Sequence, residues 1–125
     1  MDILIVEDDM SCANMYINFF RDTSFKHTIT VNHARNAAEA IYKLSDKKYD
    51  ILVLDICMPR KSGTYVTRYI QENNINIKII IVSGIPLICQ PEYYDLKKIS
   101  CQYLEKPLDF NKFTHMLNEI GDTIC

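Results

Sequence analysis

Four short strand-like runs, three of them entirely apolar, lead directly into polar or charged residues. The runs occupy residues 3–6, 51–54, 79–82 and 101–104. The residues that follow them are Glu7, Asp8 and Asp9, then Asp55, then Ser83, and finally Glu105 and Lys106. Uninterrupted apolar strands are typical of parallel sheets covered by helices on both faces, and such sheets bind ligands beyond the carboxyl ends of their strands. We therefore expect these side chains to converge at one edge of a parallel sheet.

The segments between and after these runs carry apolar residues at the spacing of one helix face. The first predicted helix has its apolar residues at Ala13, Tyr16, Ile17 and Phe20. Asp8 and Asp9 are suited to cap its N-terminus, and Asn36 and Asp109 are suited to cap the second and the last helix. Gly121 is expected to end the last helix.

A further, β-branched strand is predicted at residues 28–31. A third helix should open at Gly63 and close at residues 73–74, and Pro91 suits the first turn of a fourth helix that runs to about Ile99. Strands and helices therefore alternate along the chain, five of each. The pattern predicts an α/β fold, specifically a flavodoxin-like, doubly wound, five-stranded parallel sheet with five helices.

The length and net charge of the chain limit the classes of function that the protein can have. A chain of 125 residues fits one domain, so we take residues 1–125 as a single unit. With 14 Lys and Arg against 16 Asp and Glu, the net charge of −2 gives no basic field for nucleic acid or anionic lipid. No signal pattern or membrane-length apolar stretch is present in the sequence, so we expect a cytoplasmic location. The five cysteines form no CxxC pair, which favours free thiols.

Taken together, the motifs at the strand ends resemble those of the receiver domain of two-component response regulators. The matching segments are 5–9, 54–59 with Ser62 and Gly63, 82–84 and 103–107. Their order at the ends of alternating strands is specific, and the resemblance covers essentially the whole chain. It implies a phosphoacceptor switch of a two-component phosphorelay. Such a protein is not a metabolic enzyme, because it catalyses only its own phosphorylation and dephosphorylation.

The resemblance identifies Asp55 as the phosphoacceptor, whose carboxylate takes a phosphoryl group from a phosphohistidine of a histidine kinase or histidine phosphotransfer protein. It also implies that Glu7, Asp8, Asp55 and the backbone carbonyl of Cys57 hold one Mg²⁺ or Mn²⁺. Magnesium prefers oxygen donors and few protein ligands, and three neighbouring carboxylates repel one another without a cation. Glu7 is longer than the usual Asp, so contact through a water molecule remains open.

Three more roles follow from the same resemblance. Ser83 would bond a phosphoryl oxygen, and Lys106 would pair with that oxygen. Ser83 and the aromatic Tyr103 would form a switch pair, in which the position of Tyr103 reports the state of the site. Phosphoryl transfer depends on positioning and on neutralising the phosphoryl oxygens, which suits a hydroxyl and an ammonium. Pro107 favours an extended backbone at Lys106 and helps to fix where the lysine projects.

Each of these residues also has an ordinary structural interpretation. Asp8 would suit a helix cap, Ser83 an ordinary turn, Lys106 a solvated surface position and Tyr103 a half-buried strand position. Only the joint occurrence of the motifs favours the functional assignments.

We expect the signal to leave in trans, because the sequence ends directly after the last predicted helix. The face formed by the predicted fourth helix, the fifth strand and the last helix should contact a downstream protein or, after phosphorylation, a second copy of the chain. Tyr93, Tyr94 and Lys97 are the expected contact residues. Direct contact with nucleic acid or a membrane is not expected.

Three other functions share part of this sequence pattern. A receiver-like protein-binding module that is never phosphorylated would share the fold but ignore phosphoryl donors. A metal-dependent phosphohydrolase of the aspartyl-phosphate class usually needs Asp-x-Asp, whereas Cys57 occupies the second acidic position here. A flavin-binding domain would need a Gly/Ser-rich phosphate loop after the first strand, and the sequence has none there.

Overall fold

Five parallel strands form one sheet in the order β2-β1-β3-β4-β5. The computed structural model of the protein describes residues 1–56, 61–84 and 101–124. Its strands are β1 (Asp2–Val6), β2 (Thr30–Ala34), β3 (Ile51–Ile56), β4 (Lys78–Ser83) and β5 (Cys101–Glu105). The strand order reverses between β1 and β3, and the crevice beyond that point is where doubly wound sheets bind ligands.

Four helices lie within the described residues: α1 (Met10–Asp22), α2 (Ala37–Asp46), α3 (Lys61–Glu72) and α4 (Phe110–Ile124). Strands and helices alternate through these residues, which confirms the predicted doubly wound α/β fold. The helix predicted from Pro91 to about Ile99 lies outside the described residues.

The helices cover both faces of the sheet. Tyr16 of α1 and Phe113 of α4 belong to one buried cluster, and Val66 and Ile70 of α3 belong to the other. Because successive side chains of a strand point to opposite faces, the odd-numbered residues of β1 and β3 face α1 and α4. Their even-numbered residues face α2 and α3. This alternation decides which site residues share a face.

Side-chain oxygens cap three helices at the predicted N-termini. In each case the Oδ1 atom accepts a hydrogen bond from a backbone N–H in the first turn. Asp9 caps α1 at 2.8 Å, Asn36 caps α2 at 2.8 Å, and Asp109 caps α4 at 3.0 Å. Each of these bonds satisfies a donor that the helix itself cannot pair. Asp9, rather than Asp8, is therefore the cap of α1.

The second strand was predicted two residues too early. β2 spans Thr30–Ala34 rather than residues 28–31, and it includes the polar residues Asn32 and His33. As the edge strand beside β1, β2 is only half-buried, so polar side chains fit there. Asn32 Nδ2 donates to the Tyr49 hydroxyl at 2.9 Å, which gives one of its amide N–H groups a partner. A preference for β-branched residues could not detect this polar strand.

Two details of the helices also differ from the sequence prediction. Ile17 is 42% exposed, because it lies at the edge of the apolar stripe of α1. α4 continues past Gly121 to Ile124. A Cβ atom at position 121 would collide with the imidazole ring of His27, so this glycine permits a close approach between α4 and the segment before β2.

Candidate functional site

The strand register brings the predicted acidic residues to the same edge of the sheet. Val6 of β1 pairs with Leu54 of β3, so Glu7 and Asp55 follow at neighbouring positions. Ser83 pairs with Ile56, one residue beyond Asp55. Because Glu7 and Asp55 continue the odd-numbered positions of their strands, both lie on the face covered by α1 and α4.

The Asp55 carboxylate is contacted by the Lys106 ammonium and the Tyr16 hydroxyl, in addition to its neighbour Glu7. Lys106 Nζ lies 2.6 Å from Oδ1, and the Tyr16 hydroxyl donates to Oδ2 at 2.5 Å. The Asp55 side chain has no exposed surface, whereas 26% of the Lys106 side chain is exposed. The backbone N–H of Lys106 also donates to the Ser83 carbonyl at 2.9 Å, which fixes the loop after β5 against the end of β4. A buried carboxylate therefore meets a lysine whose side chain is partly exposed.

Glu7 is buried beside this carboxylate. Its Oε1 accepts the Asp9 N–H at 2.8 Å, and its backbone carbonyl accepts a bond from His33 Nε2 at 2.7 Å. The pKa of Glu7 is raised to about 8, first by burial and then by a hydrogen bond with Asp55 and the negative charge of Asp55. The hydrogen bond from the Asp9 backbone N–H lowers the pKa of Glu7. At neutral pH Glu7 therefore carries a proton, which limits repulsion between the two carboxyl groups.

The donor chemistry of this site fits a hard divalent cation. Hydrogen bonding of Glu7 to both Asp8 and Asp55 contributes to its raised pKa, so the three carboxyl groups are close together. Among the residues that the structure describes, no set of three His, Cys, Asp or Glu is already arranged to hold a metal ion. Glu7, Asp8 and Asp55 are the described residues that would hold such a cation, which would neutralise the charge of their carboxylates. Cys57, the fourth predicted ligand, lies outside the described residues.

Ser83 and Tyr103 lie on the other face of the sheet. Ser83 is fully buried and follows Ile79 and Ile81, whose side chains face α2 and α3. Tyr103 packs against that same cluster. The structure thus brings Asp55, Lys106 and Glu7 together on one face and places the proposed switch pair on the opposite face at the same edge.

Tyr16 is a site residue that the sequence reasoning did not identify. Its helical spacing correctly indicates an inward-facing side chain, but nothing in the spacing shows that its hydroxyl reaches Asp55. Burial and the negative charge of Asp55 raise the pKa of Tyr16, so its hydroxyl keeps its proton and donates. Cys12, a free thiol near the site, likewise has its pKa raised by burial and by Glu7.

The sequence matches the response regulator receiver domain over residues 3–118. The chain belongs to this family. The receiver is 33% identical over 84 residues to the chemotaxis protein CheY of Listeria monocytogenes, covering 67% of this chain and 68% of that protein. It is 29% identical over 119 residues to the transcriptional regulatory protein ZraR of Klebsiella oxytoca, covering 95% of this chain and 26% of ZraR. The chain thus spans only about a quarter to a third of the first transcriptional regulators it matches.

Solved structures show the same fold. The receiver domain of the Francisella response regulator 1452 has a TM-score of 0.78 and 25% identity, covering 99% of this receiver and 98% of that chain. The response regulator TrrA of Thermotoga maritima, in complex with Mg²⁺-BeF, has a TM-score of 0.72 and 24% identity, covering 95% and 97%. The receiver fold predicted from the strand-end motifs is therefore confirmed. Among the described residues, no helix is long and apolar enough to cross a membrane.

Proposed function

We propose that this receiver takes a phosphoryl group onto Asp55 from a phosphohistidine of a histidine kinase or histidine phosphotransfer protein. The observation that carries the proposal is the buried Asp55 carboxylate, held 2.6 Å from the Lys106 ammonium at the point where the strand order reverses. An Asp55 oxygen forms a bond to phosphorus as the phosphorus–nitrogen bond breaks, and that electron pair goes to the imidazole nitrogen, which then takes a proton. The receiver catalyses only this transfer and the later loss of the phosphoryl group.

The residues around Asp55 have distinct parts in this transfer. Lys106 neutralises a phosphoryl oxygen, and Ser83 donates a hydrogen bond to that oxygen. Glu7, Asp8, Asp55 and the carbonyl of Cys57 would hold Mg²⁺ or Mn²⁺. Such a cation, when bound, neutralises charge on the phosphoryl oxygens. Support for magnesium comes from the oxygen donors of the site and from TrrA, which has this fold and binds Mg²⁺-BeF.

Output then occurs in trans, through a change in affinity for a protein partner or for a second copy of the chain, in the cytoplasm. The proposed face includes β5 and α4, together with Tyr93, Tyr94 and Lys97, which lie outside the described residues. A ligand shifts such an equilibrium only by its difference in affinity for the two states.

Intact mass after incubation with Mg²⁺ and acetyl phosphate tests this proposal. We expect one added phosphoryl group on the wild-type chain and none on Asp55→Asn. Asp22→Asn is the matched control, because Asp22 is an exposed residue at the far end of α1 that pairs with Arg21. Equal phosphorylation of Asp55→Asn would contradict the assignment. A wild-type chain that takes no phosphoryl group would favour a protein-binding module that is never phosphorylated.

A further inference from the structure

Tyr16 is a buried aromatic residue with a specific polar contact. Its side chain is fully buried and packs edge-on against Phe113, with ring centroids 6.2 Å apart and an angle of 79° between the rings. A buried phenol needs a hydrogen-bond partner, since leaving it unpaired costs free energy. The partner is Oδ2 of Asp55, at 2.5 Å.

This contact makes the two oxygens of Asp55 inequivalent. Oδ1 contacts the ammonium of Lys106, whose side chain is partly exposed, whereas Oδ2 contacts a phenol inside the core. An incoming phosphoryl group can approach from the Lys106 side but not through the packed ring of Tyr16. Oδ1 is therefore the oxygen available for attack, and Oδ2 becomes the carbonyl oxygen of the acyl phosphate.

We propose that Tyr16 is a positioning residue that holds Oδ2 of Asp55 and favours the free carboxylate over the acyl phosphate, so that it shortens the lifetime of the phosphorylated receiver. This inference rests on the proposed phosphorylation of Asp55. The inference depends on how the strength of the hydrogen bond from Tyr16 to Oδ2 differs between the free carboxylate and the acyl phosphate. Bonds to an ionised acceptor are roughly twice as strong as bonds to a neutral one.

The bond from Tyr16 changes in strength as the phosphoryl group leaves. In hydrolysis, a water oxygen forms a bond to phosphorus while the bond from Oδ1 to phosphorus breaks, and the electron pair returns to the Asp55 carboxylate. The water proton passes to phosphate or solvent. Negative charge thus reappears on Oδ2 during this step, and the bond from Tyr16 strengthens with it. In a loose transition state most of that charge has already returned, so the step is accelerated.

Phosphorylation should be much less sensitive to Tyr16. The same loose transition state leaves most of the negative charge on the attacking carboxylate, so the bond from Tyr16 is almost as strong in the transition state as before attack. Removing the hydroxyl should therefore lengthen the lifetime of the product more than it changes the rate of its formation.

The lifetime of phosphorylated Tyr16→Phe tests the proposal. This substitution keeps the ring and its contact with Phe113 but removes the hydroxyl. After phosphorylation with acetyl phosphate and removal of the donor, intact mass followed over time gives the rate of loss. We expect loss to be about three- to tenfold slower than in the wild type, with a smaller change in the phosphorylation rate.

Tyr49→Phe is the matched control. Tyr49 is also buried, and its hydroxyl accepts a hydrogen bond from Asn32 Nδ2 at 2.9 Å, away from Asp55. Removing that hydroxyl should lower stability as well but leave the phosphoryl lifetime unchanged. A lifetime lengthened equally in both variants would assign the effect to general loosening of the core and would overturn the proposal.

Other outcomes are equally decisive. Unchanged or faster loss from Tyr16→Phe would overturn the role of Tyr16 while leaving phosphorylation of Asp55 intact. A wild-type chain that takes no phosphoryl group would overturn both proposals. If Tyr16→Phe does not fold, 3-fluorotyrosine at position 16 provides a second test, because its hydroxyl is a stronger donor. It should speed the loss, and an unchanged or slower loss would contradict the proposal.

Discussion

At the scale of single residues, the charge state of Glu7 depends on what surrounds it. The side chain is only 1% exposed, and the pKa of about 8 reflects burial first and contact with Asp55 second. The sequence could identify Glu7 as a candidate because it directly follows an apolar strand. It could not show that the Glu7 carboxyl keeps its proton, because the burial of Glu7 and its contact with Asp55 depend on the tertiary structure.

We expect the metal-free protein to lose stability as the pH rises from about 4.5, the ordinary pKa of Glu7, to about 8. In this interval the unfolded chain releases the Glu7 proton and the folded chain retains it. Because the folded state binds more protons, a higher pH favours unfolding. The stabilisation that comes from the raised pKa of Glu7 is fully present below pH 4.5 and is lost as the pH rises through about 8, the pKa of Glu7 in the folded protein. A shift of one unit corresponds to about 1.4 kcal/mol, so the change should be measurable.

Urea denaturation at several pH values, with a chelator present, measures this effect. Glu7→Gln is the control, because the amide has a similar shape and does not titrate. The midpoint of the wild type should fall more steeply between pH 5 and pH 8 than that of Glu7→Gln. Parallel pH profiles would mean that Glu7 is ionised in the folded protein.

At the scale of elements, the predictable features are those determined by neighbouring residues in the sequence. The caps at Asp9, Asn36 and Asp109 follow from bonds to N–H groups two or three positions later, so the local sequence predicts them. The boundaries of β2 and the end of α4 depend on other elements. Gly121 looks like a helix terminator in sequence, but it serves as the contact point for His27.

Gly121→Ala should therefore destabilise the protein, although alanine favours helices over glycine by about 1 kcal/mol. The added methyl group would collide with the His27 ring, which is also held by Asp122 at 2.8 Å. Overpacking of this kind typically costs about 1–3 kcal/mol. Urea denaturation should show a net loss of stability.

Gly84→Ala provides the comparison for this substitution. A Cβ atom at position 84 would meet nothing within 4 Å, and the described chain has no glycine with a positive φ. This variant should lose no stability, since adding a methyl group there restricts mainly the unfolded chain. If Gly121→Ala were at least as stable as Gly84→Ala, the His27 ring would have to move aside at little cost.

At the scale of the whole molecule, the acidic site and the switch pair lie at the same edge of the sheet but on opposite faces. Glu7, Asp55 and Tyr16 lie on the face of α1 and α4, whereas Ser83 and Tyr103 lie on the face of α2 and α3. The alternation of uninterrupted apolar strands with one-sided helices allowed the fold to be predicted from the sequence. The contact between Tyr16 and Asp55 could not be predicted, because it depends on how α1 packs across the sheet.

The bond between the Lys106 N–H and the Ser83 carbonyl connects the two faces at this edge. When Lys106 turns from Asp55 toward a phosphoryl oxygen, its backbone should shift Ser83 and, through the pairing of β4 with β5, Tyr103. Phosphorylation should therefore change the backbone amide shifts of residues 83–84 and 103–106 in addition to those around Asp55. Residues 45–49 and 73–76, at the opposite edge of the sheet, should change little.

Backbone amide spectra recorded before and after addition of acetyl phosphate and Mg²⁺ test this coupling between Asp55 and the switch pair. The control is Asp55→Asn under the same conditions, which shows the effects of the reagents alone. The pairing of Ile81 with Tyr103 and of Ser83 with Glu105 means that a displacement at the end of β4 is shared with β5. Changes confined to the neighbours of Asp55 would show that the switch pair does not respond. That outcome would contradict the coupling between Asp55 and the switch pair.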